Sequence, residues 1–460
     1  MCIARLNRCK CCLRSQKVHE YVMDFFNTKK TIPIKCSMTE EYFLITGGKR
    51  LSGEIHVPCA KNSYLALLSA CVLSSGVITL RNAPHFSDID YMISILLALG
   101  CKVERVGKDL IIDSRFIHNY KVDSTLAQKI RSSIFLLGPI TARLGKCHIA
   151  YPGGCEIGSR PIDLHLKGIS KLGVNVTELH GIIKTQAGLL QGCDIHLDYP
   201  SVGATENIMM TATLSKGVTR IFNCAKEPEI VDLQNFINCM GGKISGAGTD
   251  VIEVEGVRSL HGCDYTPIPD RIIAGTYLFA VAGCGGDVTL HNVEKEHLLS
   301  PLNKLRDTGL DVSCKGDMVR IRSSARPITF GRIETLPYPG FPTDLQPQAM
   351  ALQTISQGTC VLVENLFETR LKHVPELVKM GANIVTKDRL AIISGVDKLY
   401  GAEVFSTDLR AGSALTIAGM MAEGQTKVYG VRHIDRGYED LDLALSQIGA
   451  DIKRIKQDKL

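Results

Sequence analysis

A sixfold internal repeat is the feature that most limits how this chain can fold. Six times the sequence runs a small residue, a glycine, a β-rich strand, a loop, a helix, and then a second glycine followed by another strand. The leading glycines are Gly76, Gly145, Gly217, Gly286, Gly358 and Gly424, and the closing ones Gly100, Gly173, Gly241, Gly309, Gly381 and Gly449. Both series step by 66 to 73 residues. The closing glycine has a physical reason, because a helix that ends in the left-handed conformation needs a residue without a Cβ at that point. Leu99-Gly100 before Cys101-Lys102-Val103 and Met380-Gly381 before Ala382-Asn383-Ile384 share this grammar. Each unit also closes on strands with short apolar runs, such as Leu110-Ile111-Ile112 and Leu390-Ala391-Ile392-Ile393. Strand, helix and strands in that order predict an α/β class with mixed sheets.

At 460 residues the chain exceeds one average domain, and six like units divide into two domains of three. The crossing between them is expected in Cys263 to Pro269, which holds two prolines. A ligand site between two similar domains is then the default expectation.

The net charge of +6 bears on what that ligand can be. Residues 1–37 hold 8 Lys/Arg against 2 Asp/Glu, which leaves 45 basic and 45 acidic residues in the remainder. A neutral body offers no footprint for nucleic acid, so an anionic ligand must be held by a few converging cations, as suits a small phosphorylated substrate. The basic extension, with Cys2, Cys9, Cys11 and Cys12 crowded together, reads as disordered sequence ahead of a body that starts near Met38. Seventeen cysteines scattered without framework spacing, and no recognisable signal peptide, predict reduced thiols in a cytoplasmic protein. Most are expected as small buried hydrophobes. Neither the C-x-C-C run nor His148, His165, His373 and His433 makes a persuasive ligand set, so no metal and no cofactor is expected. Asn62 to Leu80 carries no charge, but Ser69, Ser74, Ser75 and Gly76 break it into a helix and a strand rather than a membrane span.

Polar clusters recur between the leading strand and the helix, where side chains converge on helix N-termini that favour anions. They include Ser87 to Asp90, Glu156 to Asp163, Glu227-Pro228-Glu229, Glu368-Thr369-Arg370 and Asp435 to Glu439. The sharpest is the loop from Tyr151 to His165: Gly153, Gly154 and Gly158 make it pliable, and Pro161 suits the opening of a helix running to Leu172. Cys155, near Arg160 and that helix start, reads as an exposed and readily ionised thiol, although an incidental cysteine in a surface loop fits the same residues. Cys59-Ala60-Lys61-Asn62 opens another helix, where a lysine suits a phosphate.

From about Tyr42 to Ile455 the chain resembles the UDP-N-acetylglucosamine 1-carboxyvinyltransferases, a family of enolpyruvyl transferases. The resemblance is carried by Ala60-Lys61-Asn62, the Pro152 to Leu164 loop, Ser201-Val202-Gly203-Ala204-Thr205 and Glu227 to Asp232, and by Pro269-Asp270-Arg271, Phe341-Pro342-Thr343-Asp344, Asp408-Leu409-Arg410 and Asp435 to Glu439. It implies two inside-out α/β barrel domains of three β-α-β-α-β-β repeats each. The first domain would span 61–267 and the second 38–60 together with 268–460, with the active site between them and the extension at 1–37 outside the match.

The activity implied is transfer of the enolpyruvyl group of phosphoenolpyruvate to the 3-hydroxyl of UDP-N-acetylglucosamine, the committed step of peptidoglycan synthesis. By resemblance Cys155 protonates C3 and is the thiol alkylated by fosfomycin, while Asp344 takes the hydroxyl proton. Lys61, Asn62, Arg160, Arg370, Arg410 and Arg436 would hold phosphoenolpyruvate, with Lys61 and Arg436 also catalytic. Asn62, Arg131, Arg160, Pro161, Ile162, Asp163, Leu164, Ser201, Val202, Gly203, Asp344 and Leu366 would hold the nucleotide sugar. Glu227 and Glu229 would serve structure near the site. One departure is Tyr199, where some members carry a basic residue two positions before the serine, which puts one nucleotide contact in doubt. The glycine hinges suggest that the Cys155 loop closes over bound nucleotide sugar. Two rivals share the pattern in part: 3-phosphoshikimate 1-carboxyvinyltransferase, which lacks the Pro-Gly-Gly-Cys loop, and a non-catalytic paralogue that binds the nucleotide sugar.

Overall fold

Each closing glycine takes the left-handed conformation expected of it, from φ 83° at Gly309 to φ 100° at Gly100 and Gly449. The computed structural model describes residues 40–153, 157–158 and 161–457, and Glu41–Lys456 form one compact unit. The reading of residues 1–37 lies outside the described residues. Among the leading glycines, Gly76 differs from the other five in lacking a positive φ. A Cβ there would meet the Gly262 backbone nitrogen at 2.3 Å, so close approach of two strands, not backbone conformation, requires the glycine.

The repeats build six sheets of one design. In the first, Val77–Leu80 pairs antiparallel with Asp109–Asp113, which pairs with Lys102–Val106, while Asp264–Tyr265 adds a parallel edge. The same order recurs around Val218–Phe222, Gly286–His291 and Thr359–Val363. The sheet around Lys146–Ala150 has three strands, with an isolated parallel bridge from Lys121 to His148 at the fourth position. The sixth sheet keeps this order but takes one strand from the start of the chain: Gln425–Tyr429 pairs antiparallel with Glu40–Thr46, and Glu40–Thr46 lies beside Asp451–Gln457. Leu51–His56 likewise joins the sheet of Gly286–His291.

Alternation along the strands, as in the buried-exposed pattern of Met318–Ser323, gives each sheet one apolar face. Several helices are instead buried on every side. All eight residues of Gln346–Gln353 are buried, as are Ile272–Ala282 within Arg271–Cys284 and Arg410–Met420 within Leu409–Met421. A helix apolar all round belongs in a core. Helices inside and sheets outside make the inside-out arrangement expected. Cys59, Cys71, Cys101, Cys147, Cys224 and Cys360 are buried thiols, as read from the sequence, whereas Cys239 is exposed. Asn62 to Leu80 resolves into the helix Lys61–Ala70, a 3-10 turn and the strand Val77–Leu80. Among the described residues no helix is long and apolar enough to cross a membrane.

Candidate active site

The helix Lys61–Ala70 has no side-chain cap of its own, because its N-cap is Ala60. The Lys61 amide is satisfied from far along the chain, donating to Asp270 Oδ2 at 2.9 Å. Asp270 Oδ1 meanwhile accepts from Ile272 and Ile273 at 2.8 and 2.9 Å, capping Arg271–Cys284. The two segments also pair as backbone, with Ala60 donating to the Ile268 carbonyl and Asp270 to the Pro58 carbonyl, both at 2.8 Å. The expected crossing at Cys263 to Pro269 is therefore stitched to the start of the lysine helix. Asp232 adds a further link, accepting from the Ser63 hydroxyl, from Tyr265 Oη at 2.6 Å and from the Ile268 amide at 3.3 Å.

Lys61 Nζ lies 2.8 Å from Asp88 Oδ2, and Arg436 Nε reaches Asp88 Oδ1 at 2.9 Å. Asp88 sits in the first turn of the helix Ser87–Ala98, and both Lys61 and Asp88 are buried. Burial works to raise the Asp88 pKa, but Lys61 and Arg436 outweigh it and hold the carboxyl below its ordinary value. Lys61 is pulled the other way. Burial is the largest influence and lowers its pKa, assisted by the charges of Arg410 and Arg436 and opposed by Asp88.

A second carboxylate has the same two-cation design. Asp344, in the 3-10 turn Thr343–Leu345, receives Arg370 at 2.9 Å on Oδ1 and Arg410 at 3.1 Å on Oδ2. Both arginine side chains are almost wholly buried, while Asp344 keeps 26% exposure and so is reached by solvent. Arg410 is fixed further by Tyr438, whose Oη accepts from it at 3.3 Å and bonds Thr276, Ser413 and Gln348 at 2.8 to 3.3 Å. The Nε groups of Arg370 and Arg410 have no hydrogen-bond partner among the described residues. Among the described residues four cations thus gather on these two carboxylates, with the charge of Asp270 also acting on Arg410, which leaves positive charge for an anion.

Several residues expected at a nucleotide sugar lie on neighbouring elements. Ser201 caps the helix Val202–Ala212, accepting from the Ala204 amide at 3.4 Å, so Val202 and Gly203 occupy its first turn. A Cβ on Gly203 would meet the His165 ring at 2.9 Å. His165 is buried and its pKa is pushed down to about 3, by burial first and by Arg131 second. Arg131 opens the 3-10 turn Arg131–Leu136. Leu366 follows Glu364 on the loop that leads to Arg370, and its amide donates to Glu364 at 2.9 Å. Asn62 is exposed in the first turn of its helix. Tyr199 is 48% exposed, and its carbonyl accepts from the Ser201 amide at 2.7 Å.

Pro161 does not open the helix as the sequence suggested. The helix spans Asp163–Lys171 with Ile162 as N-cap, so Pro161 precedes it, and Asp163 supplies the acidic residue of the first turn. Cys155 and Arg160 lie outside the described residues. The flanking residues Ile157 and Gly158 meet the Arg370 loop: the Thr369 amide donates to the Ile157 carbonyl at 3.1 Å, and a Cβ on Gly158 would strike Glu368. Glu227 and Glu229 behave as structural groups. Glu229 makes paired bonds with Arg271 at 3.1 and 3.2 Å, and Glu227 stands at the N-cap position of the helix Pro228–Cys239 and accepts from the Tyr338 amide. Asp88, Asp270 and Tyr438 sit within motifs visible in the sequence, but each depends on a distant partner, Arg436 at 348 residues, Lys61 at 209 and Thr276 at 162.

Comparison with known proteins fits this geometry. Residues 45–445 match the EPSP synthase (3-phosphoshikimate 1-carboxyvinyltransferase) family. UDP-N-acetylglucosamine 1-carboxyvinyltransferase 2 of Caldanaerobacter subterraneus is 52% identical over 413 residues, covering 90% of this chain and 99% of its own length. UDP-N-acetylglucosamine 1-carboxyvinyltransferase 1 of Carboxydothermus hydrogenoformans is 48% identical, covering 91% and 99% respectively. Among solved structures, the enolpyruvyl transferase NikO from Streptomyces tendae superposes with a TM-score of 0.82 at 23% identity, covering 91% of this chain and 99% of its own. EPSP synthase from Acinetobacter baumannii superposes at 0.71 and 16%, covering 91% and 100%.

Proposed function

Since this chain belongs to the EPSP synthase family, and within it to the UDP-N-acetylglucosamine 1-carboxyvinyltransferases, we propose how its residues carry out enolpyruvyl transfer. The reaction joins the 3-hydroxyl of UDP-N-acetylglucosamine to C2 of phosphoenolpyruvate while C3 gains a proton. The tetrahedral adduct then loses one proton from C3 and phosphate from C2, which restores the C2–C3 double bond and leaves the enolpyruvyl ether. This begins peptidoglycan synthesis.

The carrying observation is the arrangement of Lys61 and Arg436 on Asp88 beside Arg370 and Arg410 on Asp344. Phosphoenolpyruvate brings a phosphate and a carboxylate, and the four cations, with Arg160, hold both. Fixed donors aimed at developing charge supply catalysis without reorganising, and one such donor is worth on the order of 3 kcal/mol. Asp344, held by two arginines and partly exposed, receives the sugar hydroxyl proton. Cys155 delivers the proton to C3. Asn62, Arg131, Pro161, Ile162, Asp163, Leu164, the Ser201-Val202-Gly203 turn and Leu366 seat the nucleotide sugar.

We further propose the domain division at 61–267 and 38–60 with 268–460. It is supported by the sheet membership of Glu40–Thr46 and Leu51–His56, both of which pair with strands beyond residue 285. Both substrates are cytoplasmic metabolites, so the enzyme works in the cytoplasm, upstream of wall growth and cell division, and is the target of fosfomycin through Cys155.

Phosphate release from phosphoenolpyruvate tests the whole reading. Release that requires UDP-N-acetylglucosamine, is lost in Cys155→Ser and is abolished by fosfomycin is expected. Release driven by shikimate 3-phosphate would reassign the acceptor, and binding of the nucleotide sugar without release would mark a regulatory paralogue.

A further inference from the structure

We propose that Glu364 is a positioning residue that sets the place of Asp344 in the reaction, an inference that rests on Asp344 being the base. Glu364 follows the strand Thr359–Val363 and is wholly buried, yet no lysine or arginine pairs with it among the described residues. Among the described residues its carboxylate is met by hydrogen bonds. Oε1 accepts from Thr335 Oγ1 at 2.9 Å, from the Leu366 amide at 2.9 Å and from the Phe367 amide at 3.1 Å. Oε2 accepts from Thr343 Oγ1 at 3.0 Å.

These four donors come from three separate segments. Thr335 follows the strand Arg332–Glu334, and its hydroxyl also accepts from the Asn365 amide at 2.9 Å. Leu366 and Phe367 begin the loop that delivers Arg370. Thr343 immediately precedes Asp344, and its carbonyl accepts from Arg370 at 3.1 Å. One carboxylate therefore fixes both ends of the Arg370–Asp344 pair, gripping the arginine's loop with one oxygen and the aspartate's turn with the other. A buried acceptor satisfied by four donors is rigid, since breaking any bond leaves a polar group unpaired. Fixing the loop at Leu366 also sets a nucleotide-sugar contact, so the same group aligns the base with the hydroxyl that it deprotonates. Displacements of about 1 Å in such alignments cost on the order of a hundredfold in rate.

The test separates this link from general stability. Thr343→Val removes only the bond to Oε2, and kcat is expected to fall by about tenfold with KM for both substrates within about twofold, as misalignment of a base predicts. Thr343→Ser, which keeps the hydroxyl, is expected to restore turnover. Glu364→Gln should lower kcat similarly, and the double variant Glu364→Gln with Thr343→Val should be no slower than either single one, because both break the same link. All rates are referred to folded protein measured by thermal unfolding. Asp344→Asn is run beside them. If Asp344→Asn is impaired but Thr343→Val turns over like the wild type, Glu364 has no positioning role. If Asp344→Asn itself turns over normally, the base assignment falls and this inference falls with it.

Discussion

Asp270 accepts the backbone amide of Lys61 at 2.9 Å although 209 residues separate the two. One aspartate thus starts two helices, its own at Ile272 and Ile273 and that of Lys61. Asp270→Asn would turn a donor NH₂ toward the backbone amide of one of them and so lose that cap. The expected loss is about 2 kcal/mol of unfolding free energy, read from urea denaturation. An unchanged midpoint would show that water replaces the lost acceptor.

The lysine's proton depends on Asp88. Burial and the neighbouring arginines already lower the Lys61 pKa, and Asp88 opposes them, so Asp88→Asn should let Lys61 deprotonate at lower pH. The KM for phosphoenolpyruvate is then expected to rise with pH, starting earlier in the variant than in the wild type. Superimposable profiles would mean that Arg436 and Arg410 carry the phosphate without help from Lys61.

Glu206 makes a prediction of opposite sign to most carboxylates. Burial raises its pKa well above the ordinary value, with Glu229 and Glu227 adding to the effect, and its Oε2 has no hydrogen-bond partner among the described residues. The folded chain keeps a proton there that the unfolded chain releases, so stability falls as pH rises above the ordinary carboxyl range. Glu206→Gln should remove that slope, gaining stability at pH 8 and changing little at pH 4. Denaturation curves at the two values decide it.

His165 acts at the other end of the scale. Its folded pKa of about 3 lies below its ordinary 6.5, so between those values the unfolded chain binds the extra proton and stability is lost as pH falls. At pH 4.5 the loss should be on the order of 3 kcal/mol. His165→Gln should flatten this part of the profile, and an unchanged slope would assign it to other groups, such as buried His373.

The parts of the fold that were legible in the sequence are those written locally. A glycine closing a helix and an alternating strand depend on neighbours within a few residues, so the repeats could be read directly. Pro161 misled because a proline before a helix fits more than one position, and Ile162 takes the cap instead. Lys61, Arg370, Arg410, Arg436 and Asp344 were named through motifs, but their grouping on two carboxylates could not be seen. Asp88 and Arg436 stand 348 residues apart, and no periodicity reports a contact of that range. Glu364 carried no signal, since a glutamate after an apolar strand is ordinarily a solvated end. Cys155 and Arg160 rest on resemblance.

The sixth sheet sets an order of events on the ribosome. Glu40–Thr46 is the earliest described strand to be made, and it is flanked by Gln425–Tyr429 and Asp451–Gln457, the last two. During translation this strand must wait unpaired, with its ladder groups open, until nearly the whole polypeptide has emerged. Pairings of such range form slowly and leave edges exposed to wrong partners. The proposed domain that carries Asp344, Arg370, Arg410 and Arg436 is therefore completed only at the end of synthesis, so a nascent chain cut short before residue 425 has no finished candidate site to offer.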